Sequence, residues 1–169
     1  MRVAFVGEAL IDFTGSGERA LAFQGHAGGS PLNAAVACAR LGQATGYVTQ
    51  LSTDLFGEQL FRHLEGNGID TRFVVRSAAP STLAFVERGP ATNRYAFFTN
   101  GSADSAWSPE PLPRLPDECR FLHFGSISLL REPGASGITR FVHAHAGRVI
   151  VVFTAADLWL LLYAEFLAV

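Results

Sequence analysis

Four apolar residues, Val3-Ala4-Phe5-Val6, run straight into Gly7 with no polar alternation between them. A strand written this way is covered on both faces, which is the habit of parallel strands inside an α/β layer structure. Further strand-like runs follow at Thr45 to Gln50, Phe73-Val74-Val75, Phe121 to Ser126 and Arg148 to Val152. Between them lie three helix-like stretches: the alanine-rich Leu32 to Leu41, about Glu58 to Glu65, and about Pro133 to Ala146. The order strand, excursion, helix, strand, helix, strand predicts a doubly wound α/β fold. Two pieces depart from it. Residues 13–27 alternate loosely around glycines, with Phe13, Leu21 and Phe23 among them, and predict a small β excursion. Ser81 to Arg88 and Arg94 to Thr99 predict two antiparallel strands joined across Gly89-Pro90-Ala91-Thr92-Asn93. Tyr95, Phe97 and Phe98 place rings on both faces of the second strand, as in a flap over a ligand or an ordinary sheet edge.

With 169 residues, 49% of them hydrophobic, and a net charge of −2, the chain is long enough for one soluble domain with a real core. Scattered arginines and no basic stretch argue against a nucleic-acid footprint. Cys38 and Cys119 are unclustered, which suggests neither a disulfide scaffold nor a zinc site and fits a reducing cytoplasm. The N-terminus lacks the apolar length and cleavage site of a signal peptide.

Chemistry concentrates at two places. Gly28-Gly29-Ser30-Pro31-Leu32-Asn33-Ala34-Ala35 joins a pair of glycines to a helix start. Ser30 suits a cap and Pro31 a first turn, while Asn33 adds a group that both donates and accepts. Such a junction either brings backbone close to a ligand or simply needs glycine for its turn. Glu8 and Asp12 follow the first strand, beyond the carboxyl end where open α/β sheets bind ligands. Taken alone, Asp12 reads first as a turn or capping carboxylate and only second as a ligand-binding group. Of the histidines, His123 sits within a strand as a core residue, and His143 and His145 are two apart, too close for one helix face. His26 lies beside the glycine pair, and none of the four is assigned as a ligand.

Taken in order, these segments resemble the PfkB (ribokinase-like) carbohydrate kinases, and among them the bacterial fructokinases. The resemblance rests on Gly7-Glu8-Ala9-Leu10-Ile11-Asp12, the Gly28 to Ala35 junction, Ala39-Arg40-Leu41-Gly42, Leu51-Ser52-Thr53-Asp54-Leu55-Phe56-Gly57, Gly68-Ile69-Asp70-Thr71 and His123-Phe124-Gly125-Ser126. Ser52 stands where the family usually has glycine. The resemblance covers residues 1–150 and implies a ribokinase-like doubly wound sheet with a small β lid, formed by about 13–25 and 81–100. It implies a sugar substrate held by Asp12 through two hydroxyls, by backbone at Gly28 and Gly29, and by Asn33. Phe97 would close the lid against water, and Ser126 or Ser128 would line the far side. ATP and Mg²⁺ are the implied cofactors, and pairing of two copies through the lids is the implied assembly.

The resemblance breaks near Val151. The family's Asp-Pro-Asn-x-Arg and Gly-Ala-Gly-Asp segments, the second with the base and anion hole, are not found, so the chain reads as truncated before the nucleotide-binding half. No catalytic residue is therefore assigned. Residues 151–169 read as an apolar tail outside the family pattern, as from a shifted frame or a truncated gene, with a lineage-specific tail as the alternative. Asp157 and Glu165 count against a membrane span there. The expected function is an ATP-dependent sugar kinase of fructokinase type, represented by its sugar-binding half and inactive alone. A non-catalytic sugar-binding or regulatory module is the alternative. A nucleotide-binding oxidoreductase is disfavoured, because no Gly-x-Gly-x-x-Gly follows the first strand.

Overall fold

A computed structural model describes residues 1–15, 22–87 and 94–153. The expected turn at 89–93, Leu21 of the β excursion and most of the 151–169 tail lie outside the described residues.

Five parallel strands make the main sheet: β1 (Val3–Val6), β4 (Thr45–Ser52), β5 (Asp70–Ser77), β8 (Phe121–Phe124) and β9 (Ile150–Phe153). Their order is β5-β4-β1-β8-β9. The chain starts in the middle, builds outward to β5 on one side, then returns to fill the other side. The direction of growth therefore reverses between β1 and β8, and loops leaving these two strands part to form a crevice.

Side chains alternate across the sheet into two apolar layers. Phe5, Tyr47 and Leu51 face α1 (Ser30–Arg40) and α2 (Leu55–Gly66), where Leu32, Ala35, Leu60 and Leu64 are buried. Ala4, Val6, Val48 and Leu122 face the opposite layer, where α3 (Gly134–His145) contributes Ile138 and Phe141 beside Trp107. The doubly wound arrangement follows from β1 being buried on both sides. His123 belongs to this interior, tilted against Phe5 with ring centroids 5.0 Å apart. His145 is equally internal: its Nε2 accepts the Leu115 N–H, so Nδ1 carries the proton and donates to Phe141 O. His143 is exposed.

A second sheet holds β2 (Leu10–Gly15), β3 (Phe23–Gly28), β6 (Leu83–Glu87) and β7 (Arg94–Phe98), in the order β3-β2-β6-β7. It consists of two antiparallel pairs joined by parallel pairing of β2 with β6. The excursion and the later pair of strands thus form one structure. The base of this sheet is tied down by hydroxyls. Asp104 accepts hydrogen bonds from Thr82 Oγ1 (2.5 Å) and Ser102 Oγ (2.8 Å), joining the start of β6 to the segment after β7. Gln50 of β4 reaches the Ala103 carbonyl at 3.0 Å, anchoring that segment to the main sheet.

Two helix starts differ from expectation. Gly29, not Ser30, is the N-cap of α1, and Ser30 is the first helical residue, with no side-chain cap hydrogen bond formed. Gly29 holds φ at 109°, a conformation that a side chain would disfavour. The start of α2 lies at Leu55, earlier than Glu58, because Asp54 caps it. The Asp54 carboxylate accepts from Gly57 N–H (2.8 Å), Ser81 N–H (2.8 Å) and Ser81 Oγ (2.7 Å), fastening the helix to the connection ahead of β6.

Burial pushes the Asp54 carboxyl up, but the Gly57 amide and the Ser81 hydroxyl and amide outweigh it and hold it below its ordinary 3.8. Its contribution to stability is therefore present above pH 3.8 and is lost as pH falls through the lowered value. Replacement D54A is expected to cost about 1–2 kcal/mol at neutral pH by urea denaturation. The gap from the parent chain should narrow below pH 3.8.

Candidate functional site

The crevice between β1 and β8 opens into a pocket of about 480 Å³. Glu8, Leu10, Asp12, Gly29, Ser30, Asn33, Tyr95, Phe97, Ser126 and Ile127 line it. Of the six residues expected to bind a sugar, Asp12, Gly29, Asn33, Phe97 and Ser126 meet there. Gly28 stands directly behind them.

Asp12 is on β2, facing the pocket, and neither turns nor caps the chain. Its strand partner across the antiparallel pair is His26 of β3. Burial pushes the Asp12 carboxyl above its ordinary 3.8, and the His26 charge offsets part of that. Gly28 pairs with Leu10 in the same register, and a Cβ there would collide with Asp12 Oδ2. The first glycine of the pair thus makes room for a carboxylate. At Gly29, a Cβ would lie 2.8 Å from the Glu8 carbonyl oxygen, so the second glycine lets the turn into α1 close against the end of β1. Asn33 lies on the first turn of α1, its N–H bonded to Gly29 O at 2.9 Å and its side chain exposed to the pocket. Among the described residues, neither the Asp12 carboxylate nor the Asn33 carboxamide has a hydrogen-bond partner.

The far wall is the turn after β8. Ser126 lines the pocket, whereas Ser128 is buried and its Oγ donates to Gly125 O at 3.0 Å. Both amides donate to Oε2 of Glu8, a side chain that sequence reasoning placed near the site without a task. Glu8 is 2% exposed, and burial pushes its carboxyl up against the pull of its own amide, the Ser128 and Ser126 amides and the Ser128 hydroxyl. Nothing local in Gly7-Glu8-Ala9 signals a partner 118 residues away.

The roof is the second sheet. Tyr95 and Phe97 lie on its pocket face with rings parallel, centroids 6.0 Å apart and planes 6° apart. Both rings are partly open, at 59% and 46% exposure. Phe98 points the other way, into an aromatic row. Phe85 meets Phe13, Phe23 and Phe98 at centroid distances of 4.9, 5.2 and 5.5 Å, and Phe13 also meets Phe56 of α2 at 5.6 Å.

Among the described residues, no basic side chain lines the pocket. Hydroxyl groups suit carboxylate, carboxamide and aromatic faces, while a polyphosphate would need cations or a row of free amides. The lining therefore does not fit ATP. Among the described residues, no three His, Cys, Asp or Glu side chains come together as metal ligands.

The profile of the pfkB family carbohydrate kinases matches residues 1–153. The chain belongs to this family. It is 39% identical over 131 residues to a fructokinase of Rhizobium leguminosarum bv. trifolii, covering 75% of this chain and 40% of the relative. A fructokinase from Xylella fastidiosa, solved with bound ATP, superposes with a TM-score of 0.79 at 31% identity, over 90% of this chain and 48% of that one. A Pyrococcus horikoshii sugar kinase in complex with ATP gives 0.81 at 26% identity, over 89% and 52%. This member of the pfkB family thus spans about half the length of the relatives it matches. Its fold is the ribokinase-like α/β arrangement expected from the motifs. No helix among the described residues is long and apolar enough to cross a membrane.

The close fit between Gly28 and Asp12 makes a test. Replacement G28A is expected to displace the carboxylate and to cost about 1–3 kcal/mol in urea denaturation. A shifted Asp12 carboxyl resonance in carbon NMR should accompany it.

Proposed function

We propose that this chain binds the sugar in an ATP-dependent phosphorylation of a sugar hydroxyl, with D-fructose representing the substrate class. The observation that carries the reading is that Asp12 and Asn33, with no hydrogen-bond partner among the described residues, face one pocket beneath two parallel rings. An ionised carboxylate accepts two hydroxyl hydrogens at once, which suits a vicinal diol. Asn33 supplies a donor and an acceptor for a further hydroxyl. The Tyr95 and Phe97 faces cover the C–H side of the ring, and lowering them excludes water that would compete as phosphoryl acceptor. ATP enters as the phosphoryl donor of the family. The groups that would receive its phosphates and deprotonate the sugar are not among the residues lining this pocket.

That absence of cations also favours a second reading, a module that holds sugar without phosphorylating it. Titration calorimetry of the 169-residue chain with D-fructose tests the shared part, and saturable binding is expected. Replacement D12A should weaken it by about 1.5–3 kcal/mol, roughly ten- to a hundredfold, the worth of hydrogen bonds to a charged acceptor. Affinity should rise with pH through the raised Asp12 value, because only the ionised carboxylate accepts from both hydroxyls. No heat of binding from the parent chain would overturn the reading. Release of ADP from ATP and fructose is expected to stay at background for this chain, and turnover would exclude the second reading.

The outer aromatic face of the second sheet supports pairing of two copies through their lids. Phe23 and Phe98 are 38% and 60% exposed there. Sedimentation is expected to give a dimer, and F98S is expected to shift it toward monomer.

A further inference from the structure

Glu8 makes no use of its carboxyl in the reading above, yet it touches three walls of the pocket. Its side chain fills space under the turn after β8, where Oε2 accepts the N–H groups of Ser126 and Ser128, each at 3.2 Å. Its carbonyl oxygen accepts the Tyr47 hydroxyl at 2.6 Å, which pins the end of β1 to β4. The same carbonyl oxygen lies beneath Gly29, at the entry to α1.

We propose that Glu8 is a positioning residue of the sugar pocket, whose carboxyl sets the height of the turn that presents Ser126 and Ile127. The functional half of this inference rests on the sugar-binding reading. The structural half does not.

The chemistry of the turn explains why an acceptor is needed there. Two amides two residues apart converge on a single point, as backbone amides do in anion-binding nests, and that point is buried. The turn closes on itself through Ser128 Oγ and Gly125 O, but this bond leaves both amides without an internal acceptor. An oxygen reaching across from β1 satisfies them together. Without it, two buried donors would have to find other partners, and the turn would move to do so. Since Ser126 and Ile127 form the far wall, such movement changes the shape of the pocket rather than only the stability of the chain.

Two replacements of similar length separate the acceptor from the bulk. E8Q keeps a carbonyl oxygen at the end of the side chain, and E8M fills the space with no acceptor. Amide hydrogen exchange by NMR and fructose titration of the full 169-residue chain are the readouts. In E8M, exchange at Ser126 and Ser128 should speed up by roughly tenfold or more while α1 and β4 amides stay protected. Fructose affinity should fall by roughly tenfold or more in the same variant. E8Q should bring both back to within about threefold of the parent. Unchanged exchange at the two serines in E8M, or no rescue by E8Q, overturns the proposal. Should E8M not fold, E8D takes its place, since its carboxylate is one methylene short of the amides: faster exchange than in E8Q supports the proposal, and equal exchange overturns it. If the parent chain binds no fructose, the sugar-binding reading fails, and the exchange data alone still decide whether Glu8 holds the turn.

Discussion

The molecule depends on β1 being hydrogen-bonded along both edges and buried on both faces. Its four residues pair with β4 on one side and β8 on the other, in register from Val3 to Val6. Because both neighbours run parallel, their loops leave at the same end, and the sheet can only be completed by crossing back over the start. Much of the pocket lining is hung from that end. Glu8 is two residues past β1, Asp12 six residues past it, and the Ser126 turn leaves its neighbour β8. The pocket is a consequence of where the chain begins its sheet.

The second sheet solves a different problem. It is apolar on the face turned from the pocket and tied to the body at two corners. Period-two alternation divides its side chains, with Asp12, Tyr95 and Phe97 below and Phe13, Phe85 and Phe98 above. Phe13 is the bridge, since it stacks on Phe85 within the roof and meets Phe56 on the body. At the opposite corner, Asp104 and its hydroxyl partners hold the other end. Burial pushes the Asp104 carboxyl up, and the Thr82 and Ser102 hydroxyls counter that, so this anchor stays internal and polar at once.

Much of this was readable from residue order, for reasons that differ by element. Short apolar runs stopped by glycine gave β1 and β8 because burial on both faces leaves no polar alternation. The alanine-rich run gave α1 because close packing on a parallel sheet selects small side chains. Helix starts were less legible: Asp54 caps α2 through partners at Gly57 and Ser81, and only the first of these is local. The sequence placed Asp12 near chemistry but not within a strand, because β2 is defined as much by β6 as by its own residues. Glu8 stayed without a role for the same reason, its partners being 118 and 120 positions away. Motif resemblance reached Asp12, Asn33 and Ser126 together, since it carries long-range information that local periodicity lacks.

The parallel pairing of Ile11 with Leu83 has a bearing on how the chain reaches this state. These two residues are separated by β3, α1, β4, α2 and β5, so the join between the halves of the roof closes a long loop of chain. Loop closure of this kind is entropically costly and slows folding, whereas the antiparallel pair of β2 and β3 needs only near neighbours. During synthesis, the β2–β3 pair can therefore form well before its partner strands leave the ribosome. Its aromatic side chains then wait uncovered for β6, and that interval is when the nascent chain is most open to non-native association.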